Sequence, residues 1–148
     1  MGNEMKKIAI GCDHAGYELK DAIIEKLKGL GYEIKDFGAN GPDSVDYPDY
    51  VHPLANAIEN NEFPLGIVIC GSGNGVNITV NKHQGVRSAL CWNPELAKMA
   101  RLHNDANILA LSARYVDAAV SMECVDAFLS NEFEGGRHQT RVDKIACK

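Results

Sequence analysis

Short apolar runs alternating with segments of helical periodicity limit what this chain can fold into. Ile8 to Cys12 (IAIGC) and Leu65 to Cys70 (LGIVIC) are apolar and five or six residues long, as buried strands are. Val86 to Cys91 and Asn107 to Leu111 read as two more strands, and Glu33 to Phe37 alternates like a fifth. Between them lie helical stretches. Tyr17 to Leu30 places Leu19, Ile23, Ile24, Leu27 and Leu30 at helical spacing and stops at Gly31. Pro48 suits the first turn of a helix to about Asn60, in which Pro53 must also sit early. Pro94 to His103, with Leu96, Met99 and Leu102 as packing residues, and Val116 to Ser130 complete the set. This alternation implies βαβ units: an α/β fold with a five-stranded parallel sheet covered on both faces, a Rossmann-like three-layer α/β/α sandwich. The 148 residues suit a single domain, 1–148. Its last segment, Asn131 to Lys148, is polar with little to bury, and is expected to pack on something else, such as a partner subunit.

A net charge of −5 argues against a nucleic-acid binder, which normally shows a basic face. No apolar run approaches the roughly 18 residues needed to cross a bilayer. The opening residues, MGNEMKK, run straight into the first strand, so no signal peptide is expected. Cys12, Cys70, Cys91, Cys124 and Cys147 are odd in number, widely spaced and without a CxxC pair. That excludes a disulfide framework or structural zinc site and fits a reduced, cytoplasmic protein.

Ligands in such sheets bind beyond the carboxyl ends of the strands. That rule selects Cys12 to Gly16, Gly38 to Tyr47, Gly71 to Gly75 and Trp92 to Pro94. Gly71-Ser72-Gly73-Asn74-Gly75 follows a buried strand and opens a helix, where backbone N–H groups favour an anion. Val76 stands where a P-loop or a dinucleotide fingerprint needs glycine, and where a cysteine phosphatase needs arginine. A tight βα turn is the plain alternative. Cys70, just before this loop, is either a core cysteine or a thiolate nucleophile or base favoured by the helix start. Asp13-His14 is either a capped turn or a proton-handling pair. His103-Asn104-Asp105 ends a helix, where histidine is electrostatically favoured, yet it could also shuttle protons. Arg137 and Arg141 are four apart, and on one helix face two like charges cost roughly 0.2–0.5 kcal/mol. An anionic ligand such as phosphate between them would reverse that sign. His52 and His83 read as surface residues, and no metal-ligand spacing stands out.

Together, IAIGCDHAGYELK, DYPDY, ICGSGNG, NKHQGVR, RLHNDANILAL and FEGGRHQTRV resemble the type B ribose-5-phosphate isomerases and their galactose-6-phosphate and allose-6-phosphate relatives, in the family's order from about Lys6 to Val142. The resemblance implies a metal-free, cofactor-free aldose–ketose isomerisation of a phosphorylated sugar, ribose 5-phosphate to ribulose 5-phosphate, in the pentose phosphate pathway. By the same resemblance Cys70 is the general base, His103 opens the sugar ring, Ser72 assists proton transfer, and Gly71, Gly73, Asn74 and Gly75 line an anion hole. Asp13 and Tyr47 lie near the ring end of the substrate. His14, Arg114, Arg137 and Arg141 contact phosphate or sugar, and Asn104 a hydroxyl. Val76 replaces the glutamate base of one branch, Ser112 stands where Gly is common, and Asn77 where Ser is common; both of the last two are expected to be minor. The family's habit implies a homodimer, or a dimer of dimers, with the site between subunits, and no nucleic-acid or membrane partner. A hexose 6-phosphate isomerase and a non-catalytic sugar-phosphate sensor remain the alternatives.

Overall fold

The computed structural model describes residues 6–147. The expectation drawn from the first residues therefore rests largely outside the described part. Five strands form one parallel sheet: β1 (Lys7–Cys12), β2 (Glu33–Asp36), β3 (Leu65–Cys70), β4 (Ser88–Leu90) and β5 (Ile108–Ser112), in the order β2-β1-β3-β5-β4. Among the described residues, α1 (Tyr17–Gly29), α2 (Tyr47–Glu59), α3 (Asn74–Val80) and α4 (Pro94–Asn104) alternate with them, and α5 (Ala118–Leu129) and α6 (Arg137–Asp143) follow β5. The expected α/β sandwich is the observed fold. Among the described residues, no helix is long and apolar enough to cross a membrane.

Alternate residues of each central strand face opposite layers. Ile8, Ile10, Ile67, Ile69, Leu109 and Leu111 pack with Ile23 and Leu27 of α1, Ala97 and Ala100 of α4, and Val125 and Phe128 of α5. Ala9, Val68, Cys70, Ile108 and Ala110 pack with Val51, Leu54 and Ile58 of α2 and Val76 and Val80 of α3. The chain leaving β1 turns into α1 on the first face, and the chain leaving neighbouring β3 turns into α3 on the second. Their carboxyl ends therefore part, opening a crevice at a topological switch point.

Several expectations need correction. Leu30 and Leu96 are exposed, not packing residues: Leu30 lies past the end of α1, and α4 buries Ala97 and Ala100 instead. The strand expected from Val86 to Cys91 is only Ser88–Leu90, because Val86 N donates to His83 O in a turn and Asn107 N to Arg87 O outside the ladder. Pro53 lies inside α2 rather than in its first turn. His83 is not a free surface residue: its Nδ1 lies 3.0 Å from Glu59 Oε1 and its Nε2 2.7 Å from His52 Nδ1. The polar tail forms a short helix of its own, α6, which carries both Arg137 and Arg141.

The least expected feature is Lys20, fully buried in α1. Its ammonium donates to Asp36 Oδ2 at 2.7 Å, Asp36 Oδ1 at 2.9 Å and Asn40 Oδ1 at 2.7 Å. Asp36 Oδ1 in turn accepts from Gly38 N. These bonds tie α1, the end of β2 and the following loop together. Asp36 stays one-third exposed, so water can partly compensate for losing the lysine. Lys20→Ala is expected to destabilise the fold by about 3 kcal/mol, the lower end for a broken buried pair, in urea unfolding. A change below about 1 kcal/mol would mean that the contact is energetically incidental.

Candidate active site

The crevice is built from three strand ends. Cys70 closes β3 and is nearly fully buried. Its carbonyl accepts from Ala113 N at 3.0 Å, and the Gly71 carbonyl accepts from Arg114 N at 2.9 Å. Ser112, aligned with Cys70 across the β3–β5 ladder, donates its hydroxyl to the same Gly71 carbonyl at 2.8 Å and accepts from Tyr115 N. Ser112 thus holds the glycine loop to the end of β5, a larger role than the minor departure expected of it. The Arg114 side chain lies over Gly71: a Cβ there would come within 3.0 Å of its Nη1.

The glycines of the loop answer to these neighbours. Gly73 has φ +80°, and a Cβ on it would lie 2.9 Å from the Leu111 carbonyl. Only glycine meets both conditions cheaply. A Cβ on Gly75 would strike the Tyr47 ring, 2.6 Å from its Oη, so Tyr47 lies directly against the start of α3. Ser72 Oγ accepts from Asn74 N, closing the turn. The α3 helix spans only seven residues, so what the loop offers a ligand is its own N–H groups rather than a long helix dipole.

Asp13 and His14 leave β1 on the other side of the crevice. Asp13 is buried, donates its N–H to the Ile69 carbonyl and accepts from Ala15 N at 2.9 Å. His14 Nδ1 accepts from Val45 N at 3.1 Å, which leaves the proton of a neutral ring on Nε2. Asp13, His14, Asp46 and Tyr47 line an open cleft of about 510 Å³. A hollow of about 820 Å³ lies at the other edge of the sheet, but its Arg87 and Arg101 already pair with Asp105.

The remaining expected site residues are not in this crevice. The α4 helix starts beyond the carboxyl end of β4 and returns to the amino end of β5, so His103 and Asn104 sit at the amino edge. Cys70 pairs with Ser112 at the far end of β5, about 13 Å away along the strand. Near His103 the tail folds back: Glu134 N donates to the Leu102 carbonyl, and Val142 of α6 is buried. The His103 and His138 rings stack with centroids 4.3 Å apart and planes 16° apart. Glu134 Oε1 lies 3.8 Å from His103 Nε2 and 3.6 Å from His138 Nε2. Burial, His103 and Arg137 hold the His138 imidazole below its ordinary pKa. Arg137 is exposed on α6, and Arg141 donates to the Arg137 carbonyl. The expected site residues therefore fall into two groups: Asp13, His14, Tyr47, Cys70, Gly71 to Gly75 and Arg114 at the carboxyl edge, and His103, Asn104, Arg137 and Arg141 at the amino edge.

Among the described residues, His103, Glu134 and His138 offer three metal-type donor atoms within 4.8 Å of one another. Parallel stacked rings cannot both place one ion in their planes, and neighbouring arginines disfavour a cation, so the cluster reads as side-chain packing. The sequence reading missed Glu134 and His138; both stand in the FEGGRHQTRV segment, but only the fold puts them against His103. Cys12, Cys91 and Cys124 are ordinary core cysteines, whose burial pushes Cys12 and Cys91 up to about 12 and Cys124 to about 11, and Cys147 is exposed.

A family model described as Ribose/Galactose Isomerase matches residues 8–145. The chain belongs to this family. It is 44% identical over 143 residues to the Escherichia coli protein named ribose-5-phosphate isomerase B, covering 97% of this chain and 96% of that one. The Clostridium thermocellum ribose-5-phosphate isomerase B structure superposes with a TM-score of 0.92 at 52% identity, covering 94% of each chain. A Mycoplasma genitalium ribose-5-phosphate isomerase B structure with bound ribulose-5-phosphate superposes at 0.91 with 44% identity, covering 94% of this chain and 93% of that one.

Ser112→Ala is expected to cost about 1–2 kcal/mol in chemical denaturation, since it removes two hydrogen bonds from a buried hydroxyl. An unchanged midpoint would show that backbone bonds alone hold the glycine loop.

Proposed function

We propose that this chain interconverts ribose 5-phosphate and ribulose 5-phosphate by proton transfer, with Cys70 as the base. The observation that carries the reading is the placement of Cys70 at a strand end, directly before a loop of backbone N–H groups. Moving a proton from C2 to C1 of an aldose needs a base at the carbon and a stabiliser for the enediolate oxygen. The Cys70 thiolate takes the C2 proton, the N–H groups from Gly71 to Gly75 hold the developing oxyanion, and the thiol returns the proton to C1. Ser72 carries the proton between the two substrate oxygens. No electrons leave the sugar, so the step balances without an external oxidant or reductant. The bound ribulose-5-phosphate of the Mycoplasma genitalium relative supports this substrate.

His103, the ring-opening residue by family resemblance, stands a strand's length from Cys70 in its own chain. The proposal therefore includes a second copy: a homodimer, alone or within a tetramer, in which His103, Asn104, Arg137 and Arg141 of one protomer complete the Cys70 crevice of the other. Residues 131–147 of the tail pack on their own α4, which would bring the arginines of α6 to that junction. Five free cysteines, four of them buried, fit a reducing cytoplasm.

Cys70→Ala is expected to lower kcat by at least about 10²-fold while calorimetric binding of ribulose 5-phosphate persists. Turnover that survives the substitution would remove Cys70 from the chemistry. Ribose, allose and galactose phosphates should be compared with a chelator present. Activity on hexose phosphates alone would overturn the pentose assignment, and loss of all activity in chelator would overturn a metal-free reaction.

A further inference from the structure

We propose that His138 and Glu134 are positioning residues that hold the His103 imidazole in the orientation used at the sugar ring. The inference rests on the ring-opening role given to His103 above and concerns what keeps that ring in place. A histidine in the last turn of a helix, more than one-third exposed, has free rotation about its side-chain bonds unless something stops it. In this chain two groups stop it. His138 covers one face of the ring, with centroids 4.3 Å and planes 16° apart. Offset stacking of this kind is directional, so it fixes the plane of the ring as well as its distance. Glu134 Oε1 lies 3.6–3.8 Å from the Nε2 atoms of both rings and so marks the edge at which each nitrogen points.

The tail is shaped to deliver both groups. Glu134 is fixed to the end of α4 by its N–H bond to the Leu102 carbonyl. Gly135 and Gly136 then take positive φ, +71° and +56°, a backbone path that favours glycine and that leads directly into α6. The His138 N–H donates to the Gly135 carbonyl, and α6 starts with His138 facing His103. His138 is the less exposed of the two rings, with 14% of its side chain accessible against 37% for His103. The buried ring is the fixed support and the exposed ring is the working one. Arg137 and Arg141 flank His138 along α6, so the element that would bind phosphate also sets the plane of the acid–base group. A misplacement of about 1 Å at such a group costs up to about 10²-fold in rate.

The test separates stacking from chemistry. His138→Ala is expected to lower kcat on ribose 5-phosphate at least about tenfold with KM changed less than about twofold, and His138→Phe, which keeps a stacking ring without a titrating group, to recover most of the loss. Glu134→Gln is expected to lower kcat severalfold and provides the result if His138→Ala fails to fold. A readout independent of turnover is the proton spectrum of the His103 ring, shifted upfield by its stacked neighbour in the wild type and moving downfield in His138→Ala but little in His138→Phe. A wild-type chain inactive on ribose 5-phosphate would overturn the proposed function while leaving the spectral test of the stack intact. The positioning role is overturned if His138→Ala and Glu134→Gln keep kcat within twofold, if only KM moves, if His138→Phe is as poor as His138→Ala, or if the His103 resonances stay where they were.

Discussion

The parallel direction of all five strands is the constraint on which the rest of the molecule depends. It gives the sheet two chemically different edges. Every strand delivers its carboxyl end, with the following loop and helix start, to one edge, and every returning helix ends at the other. Cys70, the glycine loop and Asp13-His14 follow strands and share the first edge. His103-Asn104 ends a helix and belongs to the second. No rotamer or loop movement in one chain exchanges the two, because the β-ladder between them is the rigid core.

Within that frame, precision comes from hydrogen bonds that the ladder organises. The β3–β5 register sets Ser112 opposite Cys70, and this alignment lets one hydroxyl and one backbone N–H converge on the Gly71 carbonyl. Lys20 does comparable work for the other wall. It gathers Asp36 and Asn40, and the loop beyond them leads to Val45, the partner of His14, and to Tyr47, which rests on Gly75. The amino-edge group is assembled differently, by aromatic stacking of His103 on His138 and two glycines at positive φ. A more exposed cluster with fewer backbone bonds leaves more to its side chains.

Much of this was legible in the sequence. The apolar runs at Ile8 to Cys12 and Leu65 to Cys70 identified the central strands, because a strand buried on both faces has no alternation to obscure. Gly71 to Gly75 and Cys70 were readable because glycine requirements and strand ends leave local marks. The rest depended on distant partners. Lys20 reads as an ordinary charged helix residue until Asp36 and Asn40 are placed beside it. Leu96 reads as core because helical spacing reports a period, not which layer the helix meets. Val86 leads into the short run Ser88 to Cys91 and so reads as the start of a strand, but a turn and the Asn107 side chain claim the backbone N–H groups of Val86 and Arg87. The α6 helix escaped notice because it is short and polar, and its only buried residue, among those described within it, is Val142. Strand order, which puts Cys70 beside Ser112, is a property of the whole chain and leaves no local pattern.

The central claim is that the two half-sites meet only between copies of the chain. The direct measurement is complementation: Cys70→Ala and His103→Ala chains, each inactive alone, are unfolded together, refolded as a mixture and assayed on ribose 5-phosphate. In a two-fold dimer each mixed pair holds one crevice with both residues intact, so random pairing should restore about a quarter of wild-type activity. Activity no greater than the sum of the separate variants, in a mixture shown by mass to contain mixed dimers, would contradict the account and place Cys70 and His103 in one chain's site.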